Sequence, residues 1–278
     1  MVHIAEHTKT DSAAGARTSG AQSVDRALTL LSLIGRHAGE GLSLAELTTA
    51  SGLNKPTVRR LMLALINGGM VDQCSHTHRY RLGPEAYLLG LRAAERHGLV
   101  RTATRHVARL ATATEDAACL SVRRGLHSLC LHREDGPYPI RTHALMPGAY
   151  HPLGVGAGSL AMLAALSDAE VEATLAANRE TLEAEYPLLP PKRLRELVAE
   201  TRRQGHALNP GLVFRDSWGL GVALRWPDGS LAGALSLAAI ESRMQEPRRS
   251  QELLPLLERE AREIEAQLAR DYAAHHPG

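Results

Sequence analysis

Two short runs of apolar residues at helical spacing lie close together in the stretch LSLAELTTASGLNKPTVRRLMLALINGGMVD, residues 42–72. Ser43 and Glu46 have the spacing of a capping box, which predicts that a short helix begins here and is stopped by Gly52. Asn54 is placed to cap a further helix with proline in its first turn. An earlier periodicity, in SVDRALTLLSLIGRH, predicts a helix before these two, with Ser23 as its N-cap.

The segment after the third helix is rich in strand-forming residues. MVDQ and RYRL predict two short strands joined across CSHTH. Three helices followed by a hairpin form a winged helix-turn-helix plan, which we expect over residues 23–83. Residues 84–98, PEAYLLGLRAAERHG, predict a helix that links this domain to the rest of the chain.

The remaining residues, 99–274, alternate helical and strand-like patterns. ACLSVRRG, HSLCLHRED and PIRTHAL predict an antiparallel meander after the helical VRTATRHVARLATATE. A glycine-rich loop runs into a helix in GVGAGSLAMLAALS, and WGLGVALRWPDGSLAGALSLAA predicts a hairpin. Further helices are predicted over 168–178, 191–204 and 246–272. These elements predict an α+β fold, with an antiparallel sheet and helices around it.

Composition limits the class of protein. With 278 residues, 44% hydrophobic and 22% charged, the chain is globular and long enough for two domains, although residues 1–22 are polar, lack periodicity and predict a disordered arm. Residues 1–83 carry nine Lys or Arg against six Asp or Glu, and the rest carries 23 against 24. Three cysteines without CxxC spacing, no signal peptide and no long apolar run lead us to expect a cytoplasmic protein without disulfides.

The basic residues of the first domain lie where a helix-turn-helix would meet DNA. A recognition helix presents side chains from its first turns to base edges, and a wing can reach phosphates. The candidate DNA-binding residues are Ser43, Lys55, Thr57, Arg59, Arg60, Arg79 and Arg81. A three-helix protein-interaction domain with solvated charges would show a similar pattern.

SVDRALTLLSLI, residues 42–72, RYRLGPEAYLLG and PLGVGAGSLAMLAAL, in this order and at these spacings, resemble the IclR family of bacterial transcriptional regulators. The resemblance covers about residues 23–274. It implies a winged helix-turn-helix, a linker helix, a GAF-like effector-binding and oligomerisation domain, and homodimers or homotetramers on double-stranded palindromic operators. The implied effector is a small organic or aromatic acid.

The resemblance also implies where the effector binds. By position, the glycine loop matches the family's effector loop, although a glycine turn that serves tight packing would look the same. The candidates are Leu145, Met146, Val155, Gly156, Ala157, Gly158, Asn209, Trp218, Gly219 and Ser236. The chain departs from the family pattern by having Asn209 where an acidic residue is common and Gly219 where a cysteine is common. Trp218 either lines the pocket or belongs to the core.

Other chemistry finds little support in the sequence. The glycine loop lacks GxGxxG, P-loop and nucleophile-elbow spacing, and no base, nucleophile and orienting residue are grouped, so we expect neither an enzyme nor a cofactor. Cys74, His76 and His78 leave zinc one ligand short, so we expect no metal. The alternatives that remain are an enzyme with a helical assembly domain and a ligand-free architectural DNA-binding protein.

Overall fold

The computed structural model describes residues 21–37, 39–96, 98–142, 145–246 and 248–275. The chain divides into two compact units, residues 1–96 and 97–278. We expected a disordered arm over residues 1–22. Residues 1–20 of this arm lie outside the described residues.

The first unit contains three helices, a two-stranded hairpin and a fourth helix. Its elements are α1 (Gln22–Arg36), α2 (Leu44–Ser51), α3 (Lys55–Asn67), β1 (Val71–Gln73), β2 (Tyr80–Leu82) and α4 (Pro84–Arg96). The predicted capping box is present: Ser43 Oγ accepts the amide of Glu46, and Ser43 N donates to Glu46 Oε2 at 2.7 Å. Asn54 Oδ1 accepts the amide of Thr57 at 2.9 Å and so caps α3. Local hydrogen bonds therefore set where α2 and α3 begin.

The start of α1 differs from the prediction. Ser23 was expected as the N-cap, but α1 begins at Gln22, and the N-cap residue is Ala21, which makes no side-chain cap. The amide of Asp25 donates to Ala21 O at 2.9 Å, so helical bonding begins before Ser23 and places it in the first turn.

The first unit is held together by one apolar core. Leucines of α1 and α2 meet the buried side of α3 and the hairpin, with Leu30, Ile34, Leu47, Val58, Met62 and Val71 fully buried. The polar side of α3 is left at the surface, as the amphipathic pattern predicts.

The second unit is a six-stranded antiparallel sheet between two groups of helices. Its elements are α5 (Gly98–Thr114), β3 (Ala117–Arg124), β4 (His127–Glu134), β5 (Tyr150–Pro152), α6 (Ala157–Ala164), α7 (Asp168–Ala177), α8 (Arg179–Glu185), α9 (Pro191–Gln204), β6 (Ala207–Pro210), β7 (Ser217–Arg225), β8 (Leu231–Ile240), α10 (Glu241–Met244) and α11 (Arg249–His275). The strand order is β5-β4-β3-β8-β7-β6. One face of the sheet packs on α5 and α11, and the other packs on α6 to α9.

The segment PIRTHAL is not a strand, so this prediction was wrong. Its described residues carry no strand, and the third strand of the meander is instead Tyr150–Pro152. The carbonyls of Thr142 and Leu145 accept hydrogen bonds from the guanidinium of Arg133, at 2.7 and 2.8 Å, rather than from a neighbouring strand. The buried arginine thereby fastens this loop to β4. The α+β class, with an N-terminal helix-turn-helix and a C-terminal antiparallel sheet flanked by helices, is confirmed.

Candidate functional site

The first turns of α3 present unpaired positive charge. Lys55, Arg59 and Arg60 are exposed, and within the described residues none of them forms an ion pair, whereas Val58 and Met62 on the opposite side are fully buried. Thr57 is half-buried. The helix thus has a rigid apolar back and a free cationic front.

Gly52 turns the chain between α2 and α3. Its φ of +66° lies in the left-handed region, and only Gly52, Leu53 and Asn54 separate the two helices. A residue with a side chain would be strained in this conformation. The connection has the length and the glycine of a helix-turn-helix.

Arg79 of the hairpin binds inside the first unit. Its Nη2 donates to Gly41 O at 2.9 Å and lies 3.0 Å from Glu46 Oε2, the oxygen that also accepts Ser43 N. Hydrogen bonds from Ser43, and then from Arg79, hold the pKa of Glu46 below its ordinary value. Ser43 and Arg79 therefore fix the start of α2 to the hairpin, whereas Arg81 is exposed.

In the second unit, α6 begins directly above glycines of the sheet. A Cβ on Gly221 would lie 2.6 Å from the carbonyl carbon and oxygen of Ala157, and one on Gly158 would lie 3.0 Å from Ser236 Oγ. A Cβ on Gly219 would lie 3.1 Å from the Cβ of Ala157. Close approach of two backbones therefore requires glycine here and brings the helix end to β7 and β8.

The N-terminus of α6 carries no side-chain cap. Its N-cap residue is Gly156, with φ of +87°, and the amides of a helix's first turn have no partner within the helix. These amides and the helix dipole favour an anion.

A cleft of about 540 Å³, part of it open to solvent, extends from this helix end across all six strands. It is lined by Ser121, Ser128, Leu145, His151, Val155, Gly156, Ala157, Gly158, Ser159, Asn209, Val213, Ser217, Trp218, Gly219, Ser236, Leu237 and Ala238. Among the described residues, no Asp, Glu, Lys or Arg lines it.

Nine of the ten effector candidates lie around this cleft. Met146 does not line it and is 44% exposed. Sequence reasoning missed Ser121, Ser128 and His151, among others. The available signal was polar residues at alternate positions of otherwise apolar strands, which identifies one face of each strand but not what the face borders.

Trp218 lies between the apolar core and the cleft and contacts both. Its ring packs against the core between the sheet and α5 and α11, it borders the cleft, and its indole N–H donates to Glu241 Oε1 at 3.3 Å. Asn209 Oδ1 accepts the amide of Leu212 at 3.0 Å. Both side chains are therefore fixed by contacts other than a ligand.

Two polar groups of the cleft each have a polar neighbour. Ser121 is 1% exposed, and its Oγ has the Cys130 thiol, a weak hydrogen-bonding group, beside it. His151 Nδ1 lies 3.0 Å from the hydroxyl of Tyr186. Burial, and then the charge of His127, lower the pKa of His151, and burial raises the pKa of Tyr186 to about 12. Both groups are therefore neutral near pH 7.

The described residues contain one group with possible metal-ligand spacing, His106, Glu260 and Glu263. Arg109 Nη2 occupies it, at 2.9, 2.7 and 2.6 Å from these three side chains. Burial alone would raise the pKa of Glu260, but the hydrogen bonds from Arg109 and His106 outweigh it and lower the pKa. The group is an ion pair between α5 and α11, and the guanidinium takes the place of a cation.

None of the described helices has both the length and the apolar character needed to cross a membrane. A small helix-turn-helix unit with a cationic front, joined to a larger unit with a cleft, is typical of transcriptional regulators that carry a ligand-binding domain.

Comparison with known proteins identifies the family. The family model "Bacterial transcriptional regulator IclR C-terminal" matches residues 91–266, and "IclR helix-turn-helix domain" matches residues 23–74. The chain belongs to the IclR family of transcriptional regulators, which are not enzymes.

Relatives and solved structures agree with this assignment. The HTH-type transcriptional regulator BhcR of Paracoccus denitrificans is 30% identical over 199 residues, 70% of this chain and 69% of BhcR. A crystal structure assigned as an IclR regulator, from Silicibacter sp. TM1040, has a TM-score of 0.77 and 29% identity, covering 89% of this chain and 96% of that one. An IclR homolog from Microbacterium hydrocarbonoxydans, complexed with 4-hydroxybenzoate, has the same fold, with a TM-score of 0.73, 20% identity, and coverage of 88% and 98%.

Proposed function

We propose that this regulator reads a specific double-stranded operator through α3 and responds to a small organic acid bound in the cleft of its second unit. The DNA-binding part of this proposal rests on the exposed, positively charged side of α3. Lys55, Arg59 and Arg60 are exposed and free of ion pairs within the described residues, on a helix whose back is buried. Free cations lose no internal partner when they bind phosphates or guanine edges.

Thr57 and Arg81 extend this DNA-binding surface. Ser43 and Arg79 do not contact DNA in this proposal but hold the elements that carry the surface in place. Arg79 holds the hairpin against the start of α2, so the direction of the wing depends on it. We therefore assign Arg81 to a phosphate contact and Arg79 to positioning.

The ligand half is supported by the chemistry of the cleft. One end is the uncapped N-terminus of α6, and no acidic side chain lines the cleft within the described residues, so a carboxylate would meet donors and no like charge. The Microbacterium hydrocarbonoxydans homolog, which is complexed with 4-hydroxybenzoate, supports an aromatic acid as one candidate. An organic acid is therefore the class of effector that we propose.

Effector binding would alter operator affinity only if it favours one of two arrangements of the DNA-reading units. Such coupling needs at least two copies on a palindromic site, so we propose a homodimer or homotetramer that acts in the cytoplasm. Tyr87, Leu88, Leu89 and Leu91 of α4 are exposed apolar residues, which favours an interface there.

The DNA half is tested by fluorescence anisotropy of the full chain on a labelled duplex from upstream of its own gene. Removing two contacts, in Arg59→Ala/Arg60→Ala, should weaken binding by about 100-fold and reduce the slope of log affinity against log salt by about 2. Lys192→Ala/Arg203→Ala removes two exposed charges from α9 and should change neither. Unchanged affinity and slope in the first variant would remove these arginines from the interface.

The ligand half is tested by thermal melting of the full chain with a panel of organic acids. An acid that binds the native state raises the melting temperature in proportion to the logarithm of its concentration. A purely architectural DNA-binding protein would show no shift with any acid and no acid-dependent change in anisotropy.

A further inference from the structure

The cleft has a second polar end, which is built on the β5 edge of the sheet rather than on β7 and β8 beneath the start of α6. His151 on β5 pairs in register with Ser128 on β4, and both line the cleft. The helix end lies above β7 and β8, and strands β4 and β3 separate β5 from β8. The two ends are therefore built by different strands, with the sheet as a common floor.

Tyr186 fixes the hydrogen-bonding role of His151. The Tyr186 hydroxyl lies 3.0 Å from Nδ1, and no other partner of this hydroxyl is found in the described part of the chain. When the hydroxyl donates to Nδ1, the imidazole proton resides on Nε2, as expected for a neutral ring. The backbone of Tyr186 is itself held, because its amide donates to Leu182 O and its carbonyl accepts from Leu189 N. In this tautomer, His151 offers the cleft an N–H donor.

Ser121 adds an uncharged polar group to the floor between the two ends. It is buried, lines the cleft from β3, and has the Cys130 thiol, a weak hydrogen-bonding group, beside it. The floor therefore offers a hydroxyl and no charge to a ligand.

Charge decides what the far end can accept. Within the described residues, the cleft wall has no cation to neutralise a second carboxylate there and no anion to bind an ammonium group. Burying an unpaired charge costs far more than burying a neutral polar group. A hydroxyl, phenol or carbonyl oxygen remains.

We propose that His151 is a specificity-determining residue of the cleft, whose Nε2–H binds an uncharged oxygen at the far end of an organic acid while the carboxylate lies at the start of α6. The inference rests on the proposed acid effector. It adds that the ligand carries a charged carboxylate and, separately, an uncharged oxygen. The His151 end of the cleft would then select among acids that share the carboxylate.

Benzoate and two of its para-substituted derivatives, 4-hydroxybenzoate and terephthalate, test this with the intact protein. They share the ring and one carboxylate but carry at the far end a hydrogen, a hydroxyl and a second carboxylate. By titration calorimetry we expect 4-hydroxybenzoate to bind about tenfold more tightly than benzoate, as one buried hydrogen bond allows. Terephthalate should bind more weakly than benzoate because its second charge is unpaired.

Substitutions separate the donor from the shape of the side chain. His151→Phe should bring the affinities for benzoate and 4-hydroxybenzoate to within twofold of each other, and His151→Gln, which keeps an N–H donor, should restore part of the preference. Tyr186→Phe should reduce the preference by releasing the tautomer. His206→Phe changes a histidine that does not line the cleft, and it should keep the preference of the unmodified protein.

The outcomes distinguish the two proposals. Equal binding of benzoate and 4-hydroxybenzoate by the unmodified protein would overturn the role of His151 and leave the acid effector standing. A preference that survives in a folded His151→Phe protein would do the same. Absence of binding by all three acids, together with no melting shift across the wider acid panel, would overturn the acid effector and this inference with it.

Discussion

The proposed recognition helix α3 and the proposed effector cleft are encoded in the sequence in opposite ways. The front of α3 consists of side chains within six positions of one helix, Lys55 to Arg60, and neighbouring residues also set its cap. The cleft draws residues from six strands and a helix end, and most of them are glycine, alanine or serine. Function in the first region can be deduced from a local pattern, whereas in the second it arises only when distant backbones meet.

The largest effect should come from the contact between backbones in the cleft. Gly221→Val would place a side chain where a Cβ already lies 2.6 Å from Ala157, so α6 must move away from the sheet. We expect the second unit to lose about 3 kcal/mol of unfolding free energy, and acid binding with it. Trp218 and Trp226, the two tryptophans of the chain, both lie in this unit, so denaturant titrations followed by tryptophan fluorescence measure it selectively.

A matched glycine serves as control for this change. A Cβ at Gly98, at the start of α5, meets no atom within 4 Å, so Gly98→Ala should alter stability by less than about 0.5 kcal/mol. If Gly221→Val kept both its stability and its ligand affinity, the close packing of α6 on β7 would not define the cleft.

The next effect separates two arginines of the hairpin that look alike in sequence. Arg79→Ala removes hydrogen bonds to Gly41 O and Glu46 and should lower the unfolding free energy of the first unit by about 1.5 kcal/mol, with little change in the salt slope of DNA binding. Arg81→Ala should leave stability unchanged and reduce that slope by about 1. Hydrogen exchange of the α2 amides measures the stability, and anisotropy at several salt concentrations measures the slope.

The opposite pattern would reverse these assignments. If Arg79→Ala reduced the slope by about 1 and left exchange unchanged, Arg79 would be a phosphate contact rather than a positioning residue.

A smaller effect concerns the cap of the recognition helix. Asn54→Ala leaves the amide of Thr57 without its 2.9 Å acceptor and should destabilise α3 by about 1 kcal/mol, whereas Asn54→Ser keeps an oxygen acceptor and should lose only a few tenths. Exchange rates of the first amides of α3 report the difference. Equal rates in both variants would show that packing, rather than the cap, fixes the start of the helix.

The smallest effect is a pH dependence at the start of α2. Hydrogen bonds from Ser43 and Arg79 lower the pKa of Glu46 in the folded state, so its contribution is fully present above the unfolded value of about 4.3 and is lost as pH falls through the folded value. The stability difference between the unmodified chain and Glu46→Gln should therefore be present at pH 7 and shrink progressively as the pH falls below the unfolded pKa of about 4.3. Urea titrations across this range measure it, and a difference that grows on acidification would contradict the assignment.

The same contrast explains how much the sequence could predict. Ser43, Glu46, Gly52 and Asn54 determine α2 and α3 through neighbours three residues away, and their predicted caps are confirmed. PIRTHAL has strand composition, but its carbonyls bind Arg133 from another strand, which no local pattern reveals.

Site residues show the same division. The glycine loop drew attention to α6 by composition, whereas His151 and Ser121 became candidates only once the strand order and the residues that line the cleft were known. Likewise, a basic residue in the hairpin is visible in the sequence, but the carbonyl of Gly41 that engages Arg79 is not.

The two ends of the cleft should change at different rates during evolution. The donors at the end beneath α6 are main-chain amides, held in place by glycines that tolerate no side chain, so no single substitution can delete a donor without disturbing the fold. The other end consists of side chains that one nucleotide change can replace. In descendants of such a protein, the demand for an anionic group would persist over long periods, while the preference for the rest of the molecule would drift and be reset quickly.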